Sequence, residues 1–227
     1  MLATAGVGRG DPVLEVGCGT GQLTRRLVIS GCALTAVDLG PAMVARARRN
    51  VPEVVTFVVS PFEDLDVPPS TYQLIVSATA FHWIDPEVGF TRAARLLRPG
   101  GWLALLGTRE SYDEPVGTTL RAVWARHAGG EGAWKSGMPP SLVDGLAGSG
   151  LFEPAVVRDA SVRGTLPAEN VFRLEHTRAT SLGFDEPTRA AFGRDLRAAL
   201  DGTPEVGLDQ HTNLMMARVL PVKPAAR

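Results

Sequence analysis

The seven residues Glu15-Val16-Gly17-Cys18-Gly19-Thr20-Gly21 constrain this chain more than any other stretch. The run Val13-Leu14-Glu15-Val16 before them is short and mostly apolar, as a buried strand is, and Leu23, Leu27 and Val28 follow at helical spacing up to Gly31. The reading is strand, tight turn, helix. Glycines there allow positive φ and close backbone approach, and the first N–H groups of the helix face whatever binds. In doubly wound sheets, ligands sit at such carboxyl ends of strands. The spacing is GxGxG, which departs from the dinucleotide GxGxxG and lacks the Lys of a GxxxxGK[ST] phosphate loop. A phosphate cradle is disfavoured, and a nicotinamide-dependent reductase becomes a minor alternative.

The same strand-and-helix pattern repeats downstream. Residues 33–37 are apolar apart from Thr35, Asp38 closes them, and Gly40-Pro41 opens a helix with Met43, Val44 and Ala47 inward. Residues 54–59 and 73–77 read as third and fourth strands, separated by a proline-bearing turn at 66–70. A helix over 86–97 places Phe90, Ala93, Ala94 and Leu97 on one face, and Arg98-Pro99-Gly100-Gly101 stops it before a fifth strand at 102–106. Near-continuous apolar strands alternating with amphipathic helices indicate a parallel sheet covered on both faces, wound by right-handed crossovers. Beyond Gly107 the regularity breaks. Residues 111–150 are rich in Gly and Pro, hold helices near 116–127 and 140–146, and read as an insertion over the sheet. Residues 151–163 and 212–220 then supply two more strands, and 168–177 and 186–200 are helical by pattern.

At 227 residues the chain suits one domain with an embellishment better than two complete domains. There is no stretch of 18 or more apolar residues, which excludes a membrane span, and the first eleven residues lack the architecture of a secretory signal. A net charge of −1 gives no broad attraction to nucleic acid or anionic lipid, and Arg46, Arg48 and Arg49 read as the solvated face of a helix. Cys18 and Cys32 read as free thiols in a reducing compartment, which indicates the cytoplasm. No metal site is expected, because His82, His127, His176 and His211 are scattered and neither cysteine belongs to a CxxC pair. The absence of GxSxG disfavours an α/β-hydrolase.

Asp38 ends the second strand 17 positions after Gly21, where a carboxylate can accept from both hydroxyls of an unphosphorylated ribose. Glu15 completes an apolar strand, which is costly unless a ligand ammonium or backbone donors face it. The stretch Val13 to Gly21 resembles the first motif of class I S-adenosylmethionine (SAM) dependent methyltransferases. Thr35-Ala36-Val37-Asp38 with Met43 resembles the second motif, and Leu97-Arg98-Pro99-Gly100-Gly101 the turn before strand five. The likeness covers residues 11–107. It is greatest to the small-molecule branch with ubiquinone/menaquinone-type and trans-aconitate-type enzymes, where Ala80-Phe81-His82-Trp83 has a counterpart and His176-Thr177 and 212–218 fit more weakly.

The resemblance implies an α/β fold: a doubly wound, Rossmann-like, seven-stranded, mostly parallel sheet with an antiparallel last strand, as one domain over 1–227 whose 111–150 segment is a substrate cap. It implies SAM as cofactor, held by Glu15, Gly17, Gly19 and Gly21 at the methionine half, Asp38 at the ribose, and Leu39 and Met43 along the adenine. Phe62, Glu63 and Ala78 complete that set. The family often has Gly-Asp or Gly-Ser where this chain reads Ser60-Pro61, which shifts the adenine contact to the backbone near Phe62. Related chains also carry a helix before the first strand whose aromatic residue folds over SAM. This sequence begins about ten residues before its strand, so the start lies upstream, the cap comes from elsewhere, or cofactor affinity is reduced.

Methyl transfer needs alignment and exclusion of water, with a base only where the nucleophile must lose a proton early. His82 is the candidate base, and its alternative is to shape the loop beside Trp83. Phe81, Trp83, Tyr112 and Trp134 are the candidate substrate contacts. Trp124, His127 and Met138 either join them around an apolar acceptor or form the core of a helical cap. The expected partner is a small-molecule acceptor, with no nucleic acid or membrane and a monomeric or homodimeric protein. A SAM-binding protein that does not methylate is the principal alternative.

Overall fold

In a computed structural model, described over residues 1–128 and 138–221, seven strands form one sheet in the order β3-β2-β1-β4-β5-β7-β6. They are β1 (Pro12–Val16), β2 (Ala33–Asp38), β3 (Thr56–Val59), β4 (Tyr72–Ala78), β5 (Leu97–Tyr112), β6 (Val156–Pro167) and β7 (Glu205–Arg218). The pairs β1–β2, β1–β4, β2–β3 and β4–β5 are parallel. β7 runs antiparallel to β5, since Val219 N–H donates to Gly101 O and Asp113 N–H to Gly207 O, so that one index falls as the other rises. The strand order reverses between β1 and β4. That is the topological switch point at which doubly wound sheets bind ligands.

Close contacts divide the chain into two units, the first of residues 1–107, 138–159 and 213–227 and the second of 108–137 and 160–212, with the boundaries inside β5, β6 and β7. In the first unit, successive residues of β1 feed opposite faces of the sheet. Val13 joins Leu34, Ala36, Val44, Ala47 and Leu74 on one side, and Leu14 and Val16 join Ile75, Phe81, Phe90, Leu96 and Leu103 on the other. Burial on both faces is why these strands read as continuous apolar runs. Helix α1 (Thr24–Leu27) and α2 (Pro41–Asn50) follow β1 and β2, and α3 (Pro86–Leu96) packs against α5 (Pro140–Gly148). The second unit holds α4 (Val116–Ala128), α6 (Ala168–His176), α7 (Ala179–Leu182) and α8 (Glu186–Ala199), with Leu120, Val123, Trp124, Val171, Phe192 and Leu196 at its core.

Several element boundaries differ from expectation. The helix expected to run to Gly31 is four residues of α1 continued by a 3₁₀ turn, Val28–Ser30, closed by Gly31 in the left-handed region. Leu97 pairs with Tyr72 as the start of β5 and does not end α3, and the register of β5 against β4 shifts between that pair and Leu74–Trp102. The last strand, expected at 212–220, begins at Glu205, and the one expected at 151–163 is Val156–Pro167. Met43, expected inward with Val44 and Ala47, is 42% exposed, since the two buried residues already fill that face of α2.

Candidate active site

Register brings the candidate residues to one edge of the first unit. Val16 at the end of β1 lies opposite Val37 of β2 and Ser77 of β4, and Asp38 opposite Val59 of β3, so the chain leaves all four strands side by side. The Ser77 hydroxyl donates to Val16 O at 2.8 Å and fixes the β1–β4 seam where the order reverses.

The glycine turn needs its glycines for two different reasons. Gly17 has φ 73°, and a Cβ there would stand 2.2 Å from the Ala80 Cβ, so any side chain collides with the β4 loop. Gly19 has φ 54° and open space where its Cβ would point, which leaves room for a ligand to approach the backbone closely. The turn is anchored from behind, with Gly17 and Cys18 N–H donating to Val37 O at 2.8 and 3.1 Å. Burial, with the Glu15 and Asp38 carboxylates adding to it, pushes the Cys18 thiol up to about 12 and keeps it protonated.

Asp38 ties the site together. One carboxylate oxygen accepts Gly19 N–H at 2.8 Å and the other Gly40 N–H at 2.8 Å, so this side chain clamps the glycine turn to the start of α2. Each oxygen keeps a lone pair for a ligand hydroxyl. Glu15 lies beneath the turn and is only 2% exposed, with Oε2 unpartnered. Burial raises its carboxyl to about 7, and the neighbouring Asp38 charge adds to the rise. Thr24 lies close enough to temper the shift, yet its own hydroxyl also completes no hydrogen bond.

A cleft of about 340 Å³ opens along this edge, within the ~300–1,000 Å³ typical of small-molecule sites. Of the residues singled out from sequence, Gly17, Asp38, Leu39, Phe62, Glu63 and Trp83 line it. Leu39 and Trp83 are 70% and 71% exposed, while Phe62 also packs on Phe81 in the core with ring centroids 6.0 Å apart. His82, Phe81, Met43 and Ala78 are not among the lining residues. His82 is exposed beside Trp83, with ring centroids 5.0 Å apart, and partial desolvation holds its imidazole below the ordinary value. Phe81 is buried between Phe62 and Phe90. Sequence reasoning missed Val37 and Ile84 as cleft residues. Neither bears a polar signature, and only the registered strand ends place them there.

Tyr112 belongs to the second unit. It is buried, and its hydroxyl donates to Glu175 Oε1 at 2.6 Å, while Trp124 Nε1–H donates to Glu175 Oε2 at 2.7 Å. His127 bonds Asp195 at 2.9 Å. Met138 packs against the first unit's core, and Trp134 lies outside the described residues. Among the described residues no cluster of His, Cys, Asp and Glu could hold a metal, and no helix is long and apolar enough to cross a membrane.

The site suits SAM on three observations of this structure. A carboxylate at the cleft edge has free lone pairs for ribose hydroxyls, an open glycine cradle lies beside it, and a buried, unpartnered carboxyl oxygen lies beneath that cradle. The comparisons agree. Residues 14–105 match the methyltransferase-domain family. An uncharacterized methyltransferase of Mycobacterium tuberculosis is 36% identical over 117 residues, which make up 52% of this chain and 44% of the relative, so the chain spans less than half of that relative's length. A chain of Anaeromyxobacter dehalogenans, provisionally a type II methyltransferase, superposes with a TM-score of 0.64 at 26% identity, covering 96% of this chain and 94% of that one. The N-methyltransferase NodS of Bradyrhizobium japonicum, solved with S-adenosylhomocysteine, shares the fold with a TM-score of 0.53 at 16% identity, covering 96% and 81%. By its glycine turn, its strand-two carboxylate, its sheet order and these matches, the chain is similar to the class I SAM-dependent methyltransferases, with the methyltransferase-domain match lying over residues 14–105.

Proposed function

We propose that this chain binds SAM in the first unit's cleft and directs its methyl group to a small-molecule acceptor, acting in the cytoplasm as a monomer or homodimer. The observation that carries this reading is the Asp38 clamp, because one side chain both shapes the glycine turn and offers the acceptors a ribose diol requires. When bound, SAM supplies an electrophilic methyl group on a sulfonium whose positive charge disappears as transfer proceeds. The chain's own part is binding, orientation and exclusion of water.

Gly17, which lines the cleft, and the open turn at Gly19 beside it would admit the methionine half, Asp38 would hold the ribose, and Leu39, Phe62 and Glu63 would border the adenine. Glu15 would sit beneath the turn as an acidic support whose charged form a ligand ammonium favours. Trp83 forms an apolar wall against which an acceptor could be oriented. Desolvation holds the His82 imidazole below its ordinary value, which favours the neutral form that would accept a proton from an acceptor that must lose one.

Calorimetric titration with S-adenosylhomocysteine tests the cofactor half. Wild-type protein binds, and Asp38→Ala weakens binding about 10- to 100-fold, the range for a charged hydrogen-bonding group. Equal affinity of the two proteins refutes the assignment. Transfer of label from methyl-labelled SAM into small molecules of a cell extract tests the catalytic half, and its absence despite cofactor binding favours a non-methylating protein. Near-normal turnover of His82→Ala removes His82 from the chemistry.

A further inference from the structure

Strand β4 ends in a backbone conformation that its own sequence does not favour. Thr79 has φ 52°, in the left-handed region where a β-branched residue is strained and where Gly or Asn is the easy choice. Such strain persists only where the surroundings enforce it, and it concentrates at functional sites. The enforcement is visible on both sides of the residue. Thr79 N–H donates to Leu106 O at 2.8 Å, tying the turn to β5, and its hydroxyl donates to Ala78 O at 2.8 Å. The next residue, Ala80, abuts Gly17 so closely that no Cβ fits between them. Phe81 is then buried against Phe62 and Phe90, and the amides of Trp83 and Ile84 bond back to the carbonyls of Ala80 and Phe81 at 3.0 and 3.1 Å.

The reversal at Thr79 therefore directs the chain across the end of β1 and presents Ala80, Trp83 and Ile84 as one wall of the cleft. An extended residue at 79 would carry the chain onward along the β4 direction, away from Gly17. We propose that Thr79 is a positioning residue: its left-handed backbone, locked by its hydroxyl and its amide, holds residues 80–84 against the glycine turn and sets the wall that meets the bound nucleoside and the acceptor. This rests on the reading that the cleft takes SAM.

Two substitutions separate positioning from mere stability. Thr79→Gly permits the same φ without steric strain but removes the hydroxyl and admits many other conformations. Thr79→Asn tolerates the left-handed region and keeps a polar group that can bond its own backbone. Wild type and both variants are titrated with S-adenosylhomocysteine, and their unfolding midpoints are recorded without ligand. The expected result is a Thr79→Gly midpoint within ~2 °C of wild type together with about tenfold weaker binding, one factor of ten in an equilibrium constant. Thr79→Asn is expected to bind within about twofold of wild type, because its turn is held. Unchanged affinity of Thr79→Gly, equal loss in both variants, or a midpoint drop beyond ~5 °C in both overturns the proposal. Absence of binding by wild type overturns the SAM reading itself, and that is a separately readable result.

Discussion

Glu15 sets a pH signature that belongs to one side chain. Its carboxyl, raised by burial to about 7, keeps a proton that the unfolded chain releases above ~4.5. Stability is therefore lost as pH rises between those values and levels off above about 7, by an amount on the order of 3 kcal/mol. Glu15→Gln lacks this slope, so denaturant unfolding from pH 5 to 8 is expected to show the variant gaining on wild type as pH rises. A constant gap between the two would mean that Glu15 ionises normally. Gly17→Ala belongs to the same scale. Its Cβ would meet the Ala80 Cβ at 2.2 Å in a left-handed backbone, and a loss on the order of 2 kcal/mol is expected, read from the unfolding midpoint. The need for glycine at 17 and an acid at 38 is legible in the spacing of the sequence. That Asp38 spends its geometry on Gly19 and Gly40 is not, since those bonds exist only after β1 and β2 have paired.

Elements were legible where one physical signal dominated. Asp85-Pro86 announces the start of α3, and the Asp85 carboxylate accepts the N–H groups of Glu87 and Val88 at 2.9 and 3.2 Å. Asp85→Ala is expected to cost about 1 kcal/mol in urea unfolding while leaving affinity for S-adenosylhomocysteine unchanged, because the cap supports a helix whose buried residues face the core. The long strands β5, β6 and β7 were the poorly legible elements. β6 is exposed along nearly its whole length, so no apolar alternation marks it, and the start of β7 at Glu205 is equally polar. Pro99-Gly100-Gly101 reads as a stop, but the structure absorbs it as an excursion between two registered pairs of the same strand.

At the scale of the whole molecule, each unit carries its own core, and the second is organised around a buried charge. Glu175, fully buried, accepts from Tyr112, Trp124 and Arg178, and Arg178 reaches Glu110 at 3.2 Å. Burial pulls Arg178 down, but the carboxylates of Glu175 and Glu110 outweigh it and hold the guanidinium above its usual range. Burial, reinforced by Glu175, likewise raises the Tyr112 phenol and keeps it protonated as a donor. Glu175→Ala removes the buried acceptor that Tyr112, Trp124 and Arg178 share, and a loss of about 3 kcal/mol is expected, read by chemical unfolding. A loss below ~1 kcal/mol would show that the network is solvated in solution. Neither Tyr112 nor Trp124 gave any sequence signal of this partnership, for Glu175 lies 63 and 51 residues from them along the chain.

By itself the amino-acid sequence determined the strand-and-helix alternation, the glycine turn and the acid at the end of strand two, because each is a local property of spacing and side-chain type, and the cofactor class followed from the family resemblance that these motifs carry. Only the tertiary structure decided that Asp38 clamps the turn, that Thr79 bends into a strained conformation to build a wall, and that Phe81 faces the core while Trp83 faces the cleft. Those outcomes depend on which strand ends become neighbours, and pairing between distant segments is set by the collective burial of the core, which no short stretch of sequence encodes.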